Sequence, residues 1–272
     1  MTRRHLSRSQ IRELLERYEL GPSRALGQNF LCDGGTVDKI VRLAAVGPGD
    51  RVVEIGAGLG SLTLGLCHAG ARVVALEIDR HLLPALAETT EGCQVEIHGV
   101  DVRTFDWDRH LESGSWKVVA NLPYNIATPL VLDLLATRPE LERFLVMVQR
   151  EAGERLAATP GGRIYGIPSV LAAYWADVRL VASVKADLFL PRPKVESVLV
   201  ELIRHDRQPN DVSFARVAEL VRSGFGQRRK MIRRSLAPSI SVEQLEQAGL
   251  VPTARAEELS LESWVALARV AP

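Results

Sequence analysis

The chain has 272 residues, 46% of them hydrophobic, with a formal net charge of +1. It can therefore bury a large core, in one large domain or a large and a small one. Charge or glycine interrupts every apolar run well short of a membrane span, so no membrane-spanning helix is expected, and a near-neutral total does not by itself announce a nucleic-acid partner.

The start, MTRRHLSRSQIR, carries four Arg and no acid. It lacks the apolar stretch and small-residue cleavage site of a secretory signal, and Glu13 and Glu16 speak against a transit peptide, which makes the cytoplasm the simplest compartment. IRELLERYEL (11–20) places Ile11, Leu14, Leu15 and Tyr18 on one helical face. A loop follows, then a helix near 35–45. RVVEIG (51–56) reads as a strand, Gly56, Gly58 and Gly60 as its turn, and LTLGLCHAG as a helix ending near Gly70. ARVVALEID is the next strand, closing at Glu77 and Asp79. HLLPALAETT is helical despite Pro84, and CQVEIHG is a third strand followed by Asp101.

KVVAN (117–121) is a fourth strand, TPLVLDLLAT a helix with Pro129 near its first turn, and ERFLVMVQ (142–149) a fifth strand. Apolar strands alternating with amphipathic helices predict a parallel sheet covered on both faces, the α/β class. After 150 the rhythm changes. VRLVASVKADLF and KVESVLVELIRH predict two strands across the stiff FLPRPK, as an antiparallel edge. From about 208 the pattern is helical only, in FARVAELVRSGF, RRKMIRRSL, VEQLEQAG and LESWVALARV. The turn-rich RQPNDV (207–212) is a natural linker, dividing the chain into 1–207 and a small all-helical domain, 208–272. Cys32, Cys67 and Cys93 have neither metal-ligand spacing nor an even count for disulfides, and no metal is expected.

EIGAGLG sets glycines between a strand and a helix, where backbone can approach a ligand that faces the helix N-terminus. Glu77 ends the next strand about twenty residues on, where a carboxylate can accept both hydroxyls of a ribose. The glycines read GxGxG with Ser61 next, which fits a dinucleotide fingerprint poorly, and no Lys-Ser/Thr pair is present to bind phosphates. A nucleoside cofactor without pyrophosphate fits better, and S-adenosylmethionine is the candidate. Asp101, after the third strand, comes to the same sheet edge as Gly56, Glu77 and Asn121, placed to accept from the adenine amine; its ordinary alternative is a loop cap. Glu54 could be a buried carboxylate supporting the glycine loop. Asn121, Leu122, Pro123 and Tyr124 then interrupt the fourth strand as NLPY. Methyl transfer to a base amine needs acceptors that hold both N–H bonds while the lone pair turns toward the electrophile. The Asn121 side chain and the Leu122 carbonyl, freed by Pro123, are such acceptors, and Tyr124 offers a face for a flipped base. The alternative is a helix-entry turn.

Basic residues cluster in RSGFGQRRKMIRR (222–234), where Arg222, Arg228, Arg229, Lys230, Arg233 and Arg234 stand without an acid. Such a cluster can hold backbone phosphates, with Met231 and Ile232 packed inward.

Seven stretches, LGQNFL (26–31), VVEIGAGLGSLT (52–63), ALEID (75–79), VANLPYN (119–125), MVQREAGERLAA (147–158), FLPRPKVES (189–197) and FGQRRKMIRRSL (225–236), run in order over nearly the whole chain. Together they resemble the 16S ribosomal RNA adenine N6-dimethyltransferases, and NLPY sets them apart from the DPPY-type DNA enzymes. The resemblance implies a Rossmann-like S-adenosylmethionine-dependent sheet with a helical C-terminal domain. Its implied activity is dimethylation of two adjacent adenines in a hairpin near the 3′ end of 16S rRNA, on a nearly mature small subunit, by a monomer without an obligate protein partner. Carried over, Asn29 and Leu31 touch the cofactor, Gly56 its methionine part, Glu77 its ribose and Asp101 its adenine. Asn121 serves both cofactor and target, Phe189 is a second aromatic wall opposite Tyr124, and Gln28 shapes the loop. EIGAG replaces the family's usual EIGPG, which leaves the turn intact. YGIPSVLAAYWADV stands where YGRLSV and a Gln-Tyr pair are common, so Ile167 and Pro168 replace Arg and Leu, with consequences for substrate fit and rate. Competing readings are a 23S rRNA adenine methyltransferase of the macrolide-resistance type and a catalytically weak ribosome-assembly factor on the same fold.

Overall fold

The computed structural model of the protein describes residues 4–23, 25–124, 126–206 and 212–271. Its strands are β1 (Phe30–Leu31), β2 (Arg51–Ile55), β3 (Arg72–Leu76), β4 (Val95–His98), β5 (Trp116–Asn121), β6 (Leu141–Gln149), β7 (Ala176–Val184), β8 (Phe189–Leu190) and β9 (Ser197–Arg204). Seven of them form one sheet in the order β4-β3-β2-β5-β6-β9-β7, and β1 pairs with β8. The β2–β3, β3–β4, β2–β5 and β5–β6 pairs are parallel. Val52, Val53, Val73, Val74, Val118 and Val119 are almost wholly buried, as β-branched runs covered on both faces require.

From β2 the chain steps outward through β3 to β4, then returns to build β5 and β6 on the other side. The order therefore reverses between β2 and β5, and the carboxyl ends of those strands open the crevice where sheets of this kind bind ligands. Gly56 follows β2 and Asn121 ends β5, so both stand at that point. The expected antiparallel edge is present with one refinement. β9 pairs antiparallel with β6, from Arg143↔Ile203 to Gln149↔Ser197, and β7 lies outside it.

The helix after β3, Leu83–Thr89, carries Pro84 in its first turn, where a missing N–H costs nothing. The expected helix over RRKMIRRSL shortens to Ile232–Ser235. Besides the short helix Trp107–His110, two longer helices were not expected, Arg150–Leu156 and Ile167–Trp175. The second of these follows Gly166 in an apolar run whose length and composition suit a buried helix and a strand alike, and it passes straight into β7.

Two compact units can be distinguished, Met1–Gly153 with Arg179–Ile203, and Glu154–Val178 with Arg204–Pro272. The sheet's ligand edge belongs to the first. The second takes in 154–178, which the sequence reading assigned to the larger domain, and the expected boundary at 207/208 lies outside the described residues. Hydrogen bonds within this unit explain the reassignment: the Tyr165 hydroxyl donates to the Leu259 carbonyl at 2.9 Å and the Tyr174 hydroxyl to the Val212 carbonyl at 3.0 Å. Trp264 is fully buried there against Gly224, where an added Cβ would stand 2.5 Å from the indole.

Candidate functional site

At the reversal of strand order, a cleft of about 780 Å³, solvent at its mouth included, is lined from four directions in the first unit. The N-terminal loop gives Asn29 and Leu31, the β2 turn gives Gly56 and Gly58, the end of β3 gives Glu77, and the end of β5 gives Asn121, Leu122, Pro123 and Tyr124. Nine residues singled out in the sequence thus meet in one place.

The glycine turn is shaped by its backbone. Gly56, Gly58 and Gly60 have φ of 77°, 59° and 90°, in the left-handed region that side chains avoid. The Gly56 amide donates to the Leu76 carbonyl at 2.8 Å, locking the turn onto β3. Glu77 completes the lock: one carboxylate oxygen accepts from the Gly58 amide at 2.7 Å, the other from the Asp79 amide at 2.9 Å. Each oxygen keeps a lone pair for a further donor, so the ribose role is compatible with this structural one. Burial raises the Glu77 pKa, opposed by those two amides.

Glu54, on β2, also lines the cleft and is 1% exposed. Burial pushes its carboxyl up to about 8, with the Glu77 charge adding and Thr63 opposing, and its Oε2 atom has no hydrogen-bond partner. It is the buried carboxylate under the loop that the sequence allowed.

At the other wall, the Asn121 side-chain amide donates through Nδ2 to the Asn29 carbonyl at 3.1 Å. That bond orients the side chain and leaves its carbonyl oxygen without a partner among the described residues. The Leu122 amide donates to the Met147 carbonyl at 3.1 Å, while no backbone hydrogen bond reaches the Leu122 carbonyl among the described residues. Pro123 has no N–H to continue the ladder. The Tyr124 hydroxyl shares a 3.0 Å hydrogen bond with Ser197 Oγ, which fixes the ring at the cleft, and burial raises its pKa against that bond. Asn125 lies outside the described residues.

Two expected members are placed elsewhere. Asp101 caps the short turn Val102–Thr104 and accepts from the Arg103 amide at 3.0 Å; the Arg103 guanidinium, paired with the same carboxylate, holds it below the usual range. This is the loop-cap alternative, and Asp101 does not line the cleft. Phe189 is fully buried in the core, in register with Leu31 across the β1–β8 pair, instead of facing Tyr124 as a second aromatic wall. Its ring supports the strand that carries Leu31.

Sequence reasoning passed over Phe30, whose ring would meet a Cβ at Gly58 at 3.2 Å and so packs against the glycine turn. Adjacency to Asn29 and Leu31 was its only signal. Gln28 shapes its loop as expected: Oε1 accepts from the Ser23 amide at 2.7 Å and Nε2 donates to Asp79 at 2.8 Å.

In the second unit, Arg222, Arg229, Lys230, Arg233 and Arg234 are exposed. Arg228 is not a free phosphate contact, since its guanidinium bridges Glu257 and the Arg163 carbonyl. Ile232 is fully buried as expected, whereas Met231 is 38% exposed.

The lining holds two carboxylates, three side-chain amides, two hydroxyls and apolar side chains, and no Lys, Arg or His among the described residues. Such walls suit a cationic nucleoside and repel a pyrophosphate. No helix among the described residues is long and apolar enough to cross a membrane.

Comparison with known proteins agrees. The family described as "Ribosomal RNA adenine dimethylase" matches residues 23–271. A ribosomal RNA small subunit methyltransferase A of Leifsonia xyli subsp. xyli is 44% identical, over 97% of this chain and 98% of that one. One from Paenarthrobacter aurescens is 43% identical over 95% and 91%. Among solved structures, a dimethyladenosine transferase from Plasmodium falciparum superposes with a TM-score of 0.76 at 25% identity, covering 88% of this chain and 95% of that one. The 23S rRNA methyltransferase ErmE superposes at 0.71, also at 25% identity, covering 89% and 99%. With this match over nearly its whole length, the chain belongs to the ribosomal RNA adenine dimethylase family of S-adenosylmethionine-dependent methyltransferases.

Proposed function

We propose that the protein transfers methyl groups to the N6 amines of two adjacent adenines near the 3′ end of 16S rRNA, on the small ribosomal subunit. S-adenosylmethionine supplies the methyl on an electrophilic sulfonium. Glu77 accepts from its ribose, Asn29, Leu31, Gly56 and Gly58 enclose it, and Asp101 reaches its adenine by exchanging the exposed Arg103 guanidinium. Asn121 Oδ1 and the Leu122 carbonyl take the two amine hydrogens of the target base, Tyr124 carries its face, and Phe189 is a positioning residue behind β1. No strong base is needed, because the nitrogen becomes acidic only as its bond to carbon forms. The exposed Arg222, Arg229, Lys230, Arg233 and Arg234 hold RNA phosphates, and the protein works in the cytoplasm as a monomer.

The observation that carries this reading is the pair of acceptors at the end of β5, oriented by the Asn121–Asn29 hydrogen bond and left unsatisfied among the described residues. The curated relatives are named as methyltransferases of small-subunit ribosomal RNA, which supports this reading. The test offers labelled donor to unmodified small subunits, bare 16S RNA and large-subunit RNA in parallel. Dimethyladenosine on the small subunit alone is expected; label on large-subunit RNA moves the protein to the 23S-type reading. Asn121→Ala should lower kcat about 100-fold or more, the scale for one misplaced hydrogen-bonding group at a reacting centre, with RNA binding retained. Unchanged ribosome maturation together with absent turnover in the wild type would favour the assembly-factor reading.

A further inference from the structure

Away from the cleft lining, the edge strand β4 carries Glu96 and His98, two residues apart and so on one face of the strand. The chain then turns through Val102–Thr104 and returns in the short helix Trp107–His110, which brings His110 back to the same face. Glu96 Oε1 lies 2.9 Å from His98 Nε2 and 3.4 Å from His110 Nδ1. One ligand atom from each residue falls within 4.8 Å of the others.

Ion pairing alone accounts poorly for this arrangement. His98 Nε2 is buried and makes no hydrogen bond, although Glu96 Oε1 lies 2.9 Å away. The two imidazoles meet edge to face with centroids 4.3 Å apart. Phe105 packs on each ring, at 5.1 Å from His98 and 5.2 Å from His110, and so fixes both. Three donors converge, with an aromatic wall behind them and one lone-pair atom unused.

We propose that Glu96, His98 and His110 form a binding site for a divalent transition cation such as Zn²⁺. Ligand atoms about 2.0–2.1 Å from one ion stand roughly 2.9 Å apart at a right angle and roughly 3.3 Å apart at the tetrahedral angle. The two separations from the Glu96 oxygen already match that range, and the two imidazole nitrogens, within 4.8 Å of each other, close onto the ion. Two imidazoles and a carboxylate select Zn²⁺, Co²⁺, Ni²⁺ or Cu²⁺ over Mg²⁺ and Ca²⁺, and three protein ligands leave a position for water. None of the cysteines takes part.

The site's role follows from what it joins. The His98 carbonyl accepts the Glu77 amide at 3.0 Å, and Asp101 lies three residues on. A cation held by β4 and the Trp107–His110 helix staples the intervening turn, which carries Asp101, to the strand that bonds Glu77.

The test uses the full chain, stripped of metal with a chelator and titrated separately with Co²⁺ and Zn²⁺, followed by the visible spectrum of Co²⁺ and by calorimetry. A single saturable site without thiolate charge-transfer bands is expected. Glu96→Gln and His110→Ala should each weaken it by at least about 10-fold, the lower end for merely outer-shell changes. Zn²⁺ should raise the melting temperature of the wild type and not of either variant. Glu96 is 46% exposed, so Glu96→Gln is expected to fold even if His110→Ala does not. The proposal is overturned if no saturable binding occurs at micromolar metal, if both variants bind like the wild type, or if replacing Cys32, Cys67 and Cys93 with Ser abolishes binding.

Discussion

Glu77 and Asp101 follow adjacent strands, β3 and β4, at the same edge of one sheet, and their surroundings are opposite. Glu77 is 5% exposed, and its oxygens hold two backbone amides that fasten the glycine turn to β3. The Asp101 side chain is 22% exposed, and its main partner is the guanidinium of Arg103, itself 67% exposed. An enclosed carboxylate bonded to backbone is part of the fold and cannot leave without disturbing it. A carboxylate paired with an exposed surface arginine can change partners at little cost. On the proposed reading, one end of the cofactor site is preformed and the other would be completed by exchange.

The largest test of that contrast is Glu77→Ala. It leaves the Gly58 and Asp79 amides without their acceptor, at about 1–3 kcal/mol for each such group that stays buried. S-adenosylmethionine affinity, measured by calorimetry, should fall about 100-fold or more, and the melting temperature should fall with it. A loss within about 3-fold would mean the turn holds its shape without Glu77. Gly58→Ala probes the same end through the backbone. At φ 59° a side chain costs about 1–2 kcal/mol, and the new Cβ would stand 3.2 Å from the Phe30 ring. Cofactor affinity should weaken about 10-fold. Asp101→Asn should act less, by a few-fold, while Arg103→Ala leaves affinity unchanged or slightly improved, because the competing partner is gone. An Asp101→Asn loss as large as that of Glu77→Ala would erase the distinction between the two ends.

The preformed end was the legible one. Where strand, glycine turn and second strand follow one another, the parallel sheet alone brings Gly56, Gly58, Glu77 and Asn121 together, and no side-chain detail is needed. Asp101 was placed at the right edge by the same logic, but its partner depends on the turn Val102–Thr104, whose cap competes with the ligand role. Phe189 carried a reading that no local pattern could decide: an aromatic before a proline-rich turn reads alike whether it faces a ligand or the core, and the β1–β8 register turned it inward. The Gln28–Asp79 bond spans 51 residues of chain and was beyond any spacing argument. The His110 approach to β4 was hidden for the same reason, since it depends on how the connecting turn folds back. Residues 154–178 were misassigned because the apolar run that feeds β7 gave no sign that its helix packs with the C-terminal helices of the second unit.

The last test concerns Glu54, the buried neighbour of Glu77, and it is read in stability, not in affinity. Its carboxyl titrates near 8 in the folded chain against 4.5 when free. Between those values the folded state binds the proton more tightly than the unfolded state, so this group's contribution is complete below about pH 4.5 and is lost as pH rises toward about 8. Wild-type unfolding free energy should therefore decline over that window, by an amount on the order of a few kcal/mol at most. Glu54→Gln keeps the shape and removes the titration, so the decline should flatten and the variant should gain on the wild type most at the alkaline end. Glu77, also raised, leaves a residual slope of the same sign. Urea denaturation of both proteins near pH 5 and near pH 8 separates the cases. Parallel pH dependences would mean that Glu54 is ionised in the folded chain, with water or a cation at its Oε2 atom, and that the preformed end is wetter than its burial implies.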